Sequence, residues 1–179
     1  MVKSTLTLIP AAVLSIFTLV HDFQENIPKP VNLKSDPIVE ETKEVLKIFG
    51  RDTRYAEKLV LTARAKNIDH IDWATNIEQE SEYKITAKSP KGYKGLGQTP
   101  KAAMKTGYEE ADLMYAACIF DEKRRIAKGD YHLAWALYKG GNNPEAKRIA
   151  AKMLSRASEV RFKVNQIKRT KEEGESHNG

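Results

Sequence analysis

The sequence predicts an all-α domain, and three observations carry that prediction. Apolar residues recur at three- and four-residue spacing through most of the chain beyond residue 36. Cap signatures punctuate the pattern: Asp36-Pro37, Asp69, Gly129-Asp130 and Asn143-Pro144 open segments, and Gly50, Gly107 and Gly140-Gly141 close them. No run alternates apolar and polar residues as a half-buried strand requires, apart from a minimal β-ribbon allowed within 83–97.

The elements follow in order. Met1-Val2-Lys3 is a short basic start, and Thr5 to Val20 is apolar apart from threonine, serine and one proline. As a helix this stretch spans about 24 Å, short of the ~30 Å hydrocarbon core. Residues 1–22 are therefore expected to be a signal peptide or N-terminal anchor, with a buried core helix as the weaker reading. Residues 23–36, with Pro28 and Pro30, are expected to be a linker. The folded domain is expected over 37–167. Its first helix runs from Pro37 to about Phe49, and its second runs from about Asp52 to Lys66 with Tyr55, Leu59, Val60 and Ala63 on one face. A third, from Asp69 or His70 to Ser81, carries Ile71, Ala74, Ile77 and Glu80 at three-residue steps. Glu80 thus ends an apolar stripe, while Glu78 and Glu82 fall on other, solvated faces. Thr99-Pro100 predicts a short helix to Thr106. A long helix over Glu109–Ile126 turns Leu113, Met114, Ala117, Cys118 and Phe120 inward. Two more helices cover 131–139 and 144 to about 168, and 168–179 reads as a flexible charged tail.

Composition narrows the function. Among 179 residues, Lys+Arg number 30 and Asp+Glu 24, a net +6 that favours an anionic partner. The single cysteine, Cys118, excludes an intrachain disulfide and a multi-cysteine metal site, and its apolar surroundings predict a buried, inert thiol. The four histidines have no ligand-like spacing, so neither metal nor cofactor is expected. The basic runs at 123–125 and 167–171 read as helix ends and tail rather than a nucleic-acid surface. Residues 131–154 read like one hairpin of a helical-repeat interaction protein, but no second copy follows at an offset of about 34 residues.

The most informative stretch is Glu80 to Pro100, ESEYKITAKSPKGYKGLGQTP: one acid, a glycine-rich strip and a terminal amide. A carboxyl on the apolar edge of a helix is desolvated, which favours the protonated form that a general acid needs.

This strip resembles the first catalytic motif of the lytic transglycosylases, which share a lysozyme-like α fold with goose-type lysozymes. The matching positions are Glu80-Ser81, Tyr83, Ala87, Ser89-Pro90, Gly92, Gly95-Leu96-Gly97-Gln98 and Pro100. Leu137-Tyr138-Lys139-Gly140-Gly141 is similar to the family's Ala-Tyr-Asn-x-Gly block, and the resemblance covers roughly residues 55 to 160. Three features depart from the family. Gly97 stands where the family has methionine, which is expected to widen or loosen the saccharide groove. Lys139 stands where it has asparagine, and no Asn-x-x-x-Gly segment occurs in 111–120.

The resemblance implies cleavage of the β-1,4 bond between N-acetylmuramic acid and N-acetylglucosamine in peptidoglycan glycan strands. Glu80 is implied as acid and then as base on the C6 hydroxyl, giving a 1,6-anhydro product. Tyr138 is implied beside Glu80, holding its carboxyl or the substrate acetamido group, with Ser81, Ser89, Gly95, Leu96, Gln98 and Gly141 binding the sugar. The alternatives are a catalytically weak wall-binding module and a hydrolytic muramidase using Glu109, Glu110 or Asp112 as a second acid. The implied location is the periplasm or cell envelope. The protein is expected to be a monomer that touches membrane only through its N-terminal segment, with wall turnover, an envelope-spanning machine or a phage particle as its setting.

Overall fold

The structure, a computed structural model, describes residues 33–176, which lie in the second of the two units into which the chain divides, Asn32–Gly179. The leader expected over 1–22 and most of the linker expected over 23–36 fall outside the described residues. The linker's end does not behave as one: Leu33 begins a 3-10 turn, Leu33–Ser35, and packs against the core.

The described residues are all-α. The helices are α1 (Pro37–Ile48), α2 (Ala56–Ala65), α3 (His70–Ser81), α4 (Glu109–Ile126), α5 (Tyr131–Lys139) and α6 (Pro144–Ser176), with a 3-10 turn, Thr53–Tyr55, leading into α2. The starts of α1, α3, α5 and α6 are set by side chains that accept orphan backbone N–H groups. Asp36 accepts from Ile38 at 2.9 Å, Asp130 from Leu133 at 2.9 Å and Asn143 from Ala146 at 2.9 Å. Asp69 accepts from both Ile71 and Asp72 at 3.0 Å. Each such cap stabilises its helix by about 1 kcal/mol.

Helix α3 is the centre of the packing. Every residue from Ile71 to Ile77 is buried, so this helix must be enclosed on all sides. Helices α1, α2 and α6 cover it, and the Trp73 indole N–H donates to Thr62 of α2 at 3.0 Å. Helix α4 packs on α2 and α5, and α5 packs in turn on α6. The α4–α5 contact is aromatic. Tyr131, Trp135 and Tyr138 stand at successive turns of α5 and meet Phe120 of α4 with ring centroids 6.0, 3.9 and 6.2 Å away. Pairs of this kind add roughly 0.5–1.5 kcal/mol each beyond area burial.

Several expectations need correction. Residues 99–106 form turns and irregular backbone, not a helix, and Thr99 instead exchanges both backbone hydrogen bonds with Lys94 at 2.9 Å. The ribbon in the 83–97 loop reduces to isolated bridges, Lys88 with Lys94 and Lys94 with Thr99. The charged tail continues α6 as helix to Ser176, with Lys168 paired to Glu41 at 2.8 Å and Lys171 to Glu44 at 2.9 Å. Glu78 is half-buried, with the Arg51 guanidinium gripping both its oxygens at 2.8 Å, whereas Glu82 is exposed. Cys118 and Met114 are only half-buried, and Ala116 takes the inward position between them.

His70 opens α3 and is largely buried. Burial pushes its imidazole below the ordinary value of 6.5; the charges of Asp69 and Glu41 oppose that shift, and those of Arg161 and Lys168 reinforce it. Between the lowered value and 6.5 the unfolded chain binds more protons than the folded one, so stability falls as pH is lowered through that window. Chemical-denaturant titrations at about pH 7.5 and 5.5 should show a smaller acid loss of stability for His70→Gln than for the parent. Equal losses in the two proteins would remove His70 as a cause.

Candidate functional site

Helix α3 ends one residue after Glu80, at Ser81, in an unusual way. Glu82 and Tyr83 both adopt left-handed backbone, at φ 51° and 59°. Neither is glycine, so the turn must be held by its surroundings. Tyr83 supplies the hold: its buried hydroxyl donates to the Ala74 carbonyl at 2.8 Å, and its ring lies 5.3 Å from that of Tyr55. The chain is thus reversed and sent out as the glycine-rich strip.

The strip has no helical ladder, yet its backbone is well paired. Ser89 and Tyr93 close one turn, with Ser89 N–H donating to the Tyr93 carbonyl at 2.8 Å and Tyr93 N–H to Ser89 Oγ at 3.1 Å. Gly95 N–H donates to the Ala87 carbonyl at 2.9 Å. Two glycines are required by close approach. A Cβ on Gly95, at φ +70°, would lie 2.6 Å from that of Ala102, and one on Gly97 would lie 2.3 Å from that of Ala116 on α4. The Tyr138 hydroxyl then ties the strip to α5 by donating to the Gly97 carbonyl at 2.9 Å. The absence of a side chain at Gly97 lets the strip lie tightly against α4.

The strip, α4 and the end of α5 enclose a cleft of about 730 Å³. Glu80, Ser89, Gln98, Tyr138 and Gly141 all line it, so five of the eight site residues read from the sequence converge on one cavity. The other three do not line it. The Ser81 hydroxyl back-bonds to the Ile77 carbonyl at 3.1 Å, Gly95 packs against Ala102 and Asp112, and Leu96 is a fully buried core residue. Among the lining residues Glu80 is the one carboxylate, facing the cations Lys91, Lys123 and Lys139.

The resemblance implied Tyr138 beside Glu80, holding its carboxyl or the substrate acetamido group. The group on that carboxyl is Lys139, whose Nζ stands 2.5 Å from Glu80 Oε1. The lysine side chain is 4 % exposed and that of the glutamate 18 %. Burial pushes the Lys139 ammonium below the ordinary lysine value although the Glu80 charge pulls the other way. Tyr138 shifts upward, first through its own burial and then through the charge of Glu80. The only signal that could have marked Lys139 was its departure from the family's asparagine beside Tyr138.

Two buried polar groups nearby are unsatisfied. Asn76, one turn before Glu80, lies beside the Tyr138 phenol, but neither of its amide atoms reaches hydrogen-bond geometry. The Thr99 hydroxyl is unpaired at 2 % exposure. The carboxylates weighed as a second acid serve elsewhere. Glu109 accepts from Lys58 at 3.0 Å and from Gly107 N–H at 2.9 Å, while Asp112 accepts from Ala103 N–H at 2.8 Å and Met104 N–H at 3.2 Å. Glu110 is exposed, and none of the three lines the cleft. Among the described residues no three His, Cys, Asp or Glu side chains gather as a metal site requires, and no helix is long and apolar enough to cross a membrane.

Compared with known proteins, the chain matches no protein-family model, no curated protein and no solved structure.

The contact between Gly97 and Ala116 can be tested as a pair. Gly97→Ala should destabilise the protein by about 1–3 kcal/mol, the usual cost of overpacking. Adding Ala116→Gly should return part of that loss, read as a melting temperature above that of the single variant. Strict additivity of the two changes would mean that the side chains do not meet.

Proposed function

We propose that the protein is a peptidoglycan lytic transglycosylase with a lysozyme-like fold, in which Glu80 is the acid and base. The observation that carries this reading is convergence. Glu80, the strip through Gln98 and the segment Leu137–Gly141 are far apart in sequence, yet they line a single cleft in which Glu80 is the one carboxylate. Protonation of the glycosidic oxygen by Glu80 breaks the bond between the two sugars, and the substrate's acetamido oxygen stabilises the cationic C1. The Glu80 carboxylate then takes the proton of the C6 hydroxyl as that oxygen attacks C1, which closes the anhydro ring without water. A single acid suffices for this sequence. The engagement of Glu109 and Asp112 elsewhere supports it over hydrolysis by a carboxylate pair.

Lys91 and Lys123 suit the anionic wall polymer, and the N-terminal residues provide a route to the envelope. One observation favours a second reading, a wall-binding module of weak activity: the Glu80 carboxylate is already bonded to Lys139.

The test is digestion of purified peptidoglycan by the full chain and by Glu80→Gln, with products read by mass spectrometry. The parent should release anhydromuropeptides, and the variant should be slower by about 10²–10⁴-fold or more. Because Glu80→Gln strands a buried lysine, Glu80→Gln/Lys139→Met serves as a folded control with the same loss of activity. Reducing-end sugars from the parent would mean hydrolysis, and wall binding without release from any protein would leave the binding module.

A further inference from the structure

We propose that Lys139 is the proton store of Glu80: when a glycan strand covers the cleft, a proton passes from Lys139 Nζ to the Glu80 carboxyl and arms it as the acid. This inference rests on the glycan cleavage proposed above. A carboxylate bonded to an ammonium ion cannot protonate a leaving group, so the pair seen here must change state before the reaction begins. The nearest proton is the one between the partners, along a contact of 2.5 Å.

Lys139 is the donor in direct contact with the carboxylate. The charged and titratable groups facing the pair are Tyr138 on α5, Lys91 and Tyr93 on the strip, and Lys123 on α4. The Tyr138 hydroxyl is committed to the Gly97 carbonyl, and its phenol holds its proton more tightly than usual. Lys123 is paired with Glu122 at 3.3 Å. Lys91 and Tyr93 lie on the exposed strip.

Glu80 is the more exposed member of the pair, so a sugar entering the cleft removes water mainly from the carboxylate. Two opposite charges drawn out of water are costly, and passing the proton converts both to neutral groups. Burial already weakens the hold of Lys139 on its proton. The step balances: ammonium and carboxylate become amine and carboxylic acid. The acid proton goes to the glycosidic oxygen as the C1–O bond breaks and its electron pair stays with the leaving sugar. The C6 hydroxyl proton returns to Glu80 as the ring closes, and then to Lys139, so no proton is consumed.

The test uses full-length parent, Lys139→Arg and Lys139→Met, with pH–rate profiles for release of anhydromuropeptides between about pH 4 and 9 and with affinity for an N-acetylglucosamine hexamer. Arginine keeps the charge but does not release its proton. Lys139→Arg should therefore lose at least about 10² in rate with affinity within threefold of the parent. In Lys139→Met the only proton is that of a carboxyl. Its activity should persist only at acid pH, with the alkaline limb more than one unit below that of the parent. An unmoved limb in Lys139→Met, or an Lys139→Arg rate within threefold of the parent, overturns the proton transfer while leaving cleavage intact. A parent that releases no sugar overturns the cleavage reading and this one with it.

Discussion

Burial of α3 on every side is the constraint on which the rest of the structure depends. A helix with no solvent face from Ile71 to Ile77 can meet water only at its ends. One end is fixed by the Asp69 cap and by Arg161 of α6, which reaches Asp69 at 2.9 Å and Asp72 at 3.1 Å. The other end carries Glu80 three residues beyond the last fully enclosed position, where the cover of α1, α2 and α6 gives way to the strip. The same stripe that makes α3 a core helix therefore delivers a carboxylate to the rim of the core. The left-handed turn at Glu82 and Tyr83 keeps the chain from continuing outward.

The strip solves a different problem. Its backbone must cross over α4 without a helix or sheet to satisfy it, so side chains and cross-strip pairs take that part. Asp112 is central here. Lying 4 % exposed on α4, it accepts two backbone N–H groups from the segment that follows the strip, and it stands against the space where Gly95 lacks a Cβ. Tyr138 does the same from α5. Its ring belongs to the Phe120–Trp135 aromatic cluster, while its hydroxyl is spent on the Gly97 carbonyl. Core packing and site geometry are thereby the same set of contacts, and the cleft is held by rigid elements rather than by the loop alone.

Much of this was legible in the sequence, and the exceptions have physical causes. Asn143-Pro144 and Thr99-Pro100 carry the same local helix-start signature. The first opens α6, with the Asn143 side chain capping Ala146; at the second, Thr99 is paired to Lys94 and Asp112 takes the N–H groups of Ala103 and Met104. Local chemistry offered a helix in both places, and tertiary partners withdrew it in one. The charged end of α6 is the converse case. It has little apolar stripe of its own, and its lysines meet Glu41 and Glu44, which lie on α1 near the start of the described chain. In the site, the resemblance named Glu80, Ser89, Gln98, Tyr138 and Gly141, and these five line one cleft. It could not give the direction of Ser81, Gly95 and Leu96, because adjacent residues on a helix or tight turn point to different sides. Lys139 was visible only as an oddity.

The oddity has a structural logic of its own. A lysine 4 % exposed is tolerable only with a counter-charge, and the carboxylate of Glu80 is the one its position on α5 brings within reach. The partners are not equivalent, however. Lys139 is nearly fully buried beside the aromatic cluster, its Nζ 6.0 Å from the Tyr138 ring centroid, whereas Glu80 is the more exposed of the two. A molecule entering the cleft changes the solvation of the glutamate and leaves that of the lysine nearly as it was. Any response of the pair to a ligand must therefore originate at Glu80, and the buried lysine is the group that has to adjust. An asparagine at this position would satisfy a carboxyl without offering a proton to move. Lysine makes the charge state of the site depend on how much water the cleft contains.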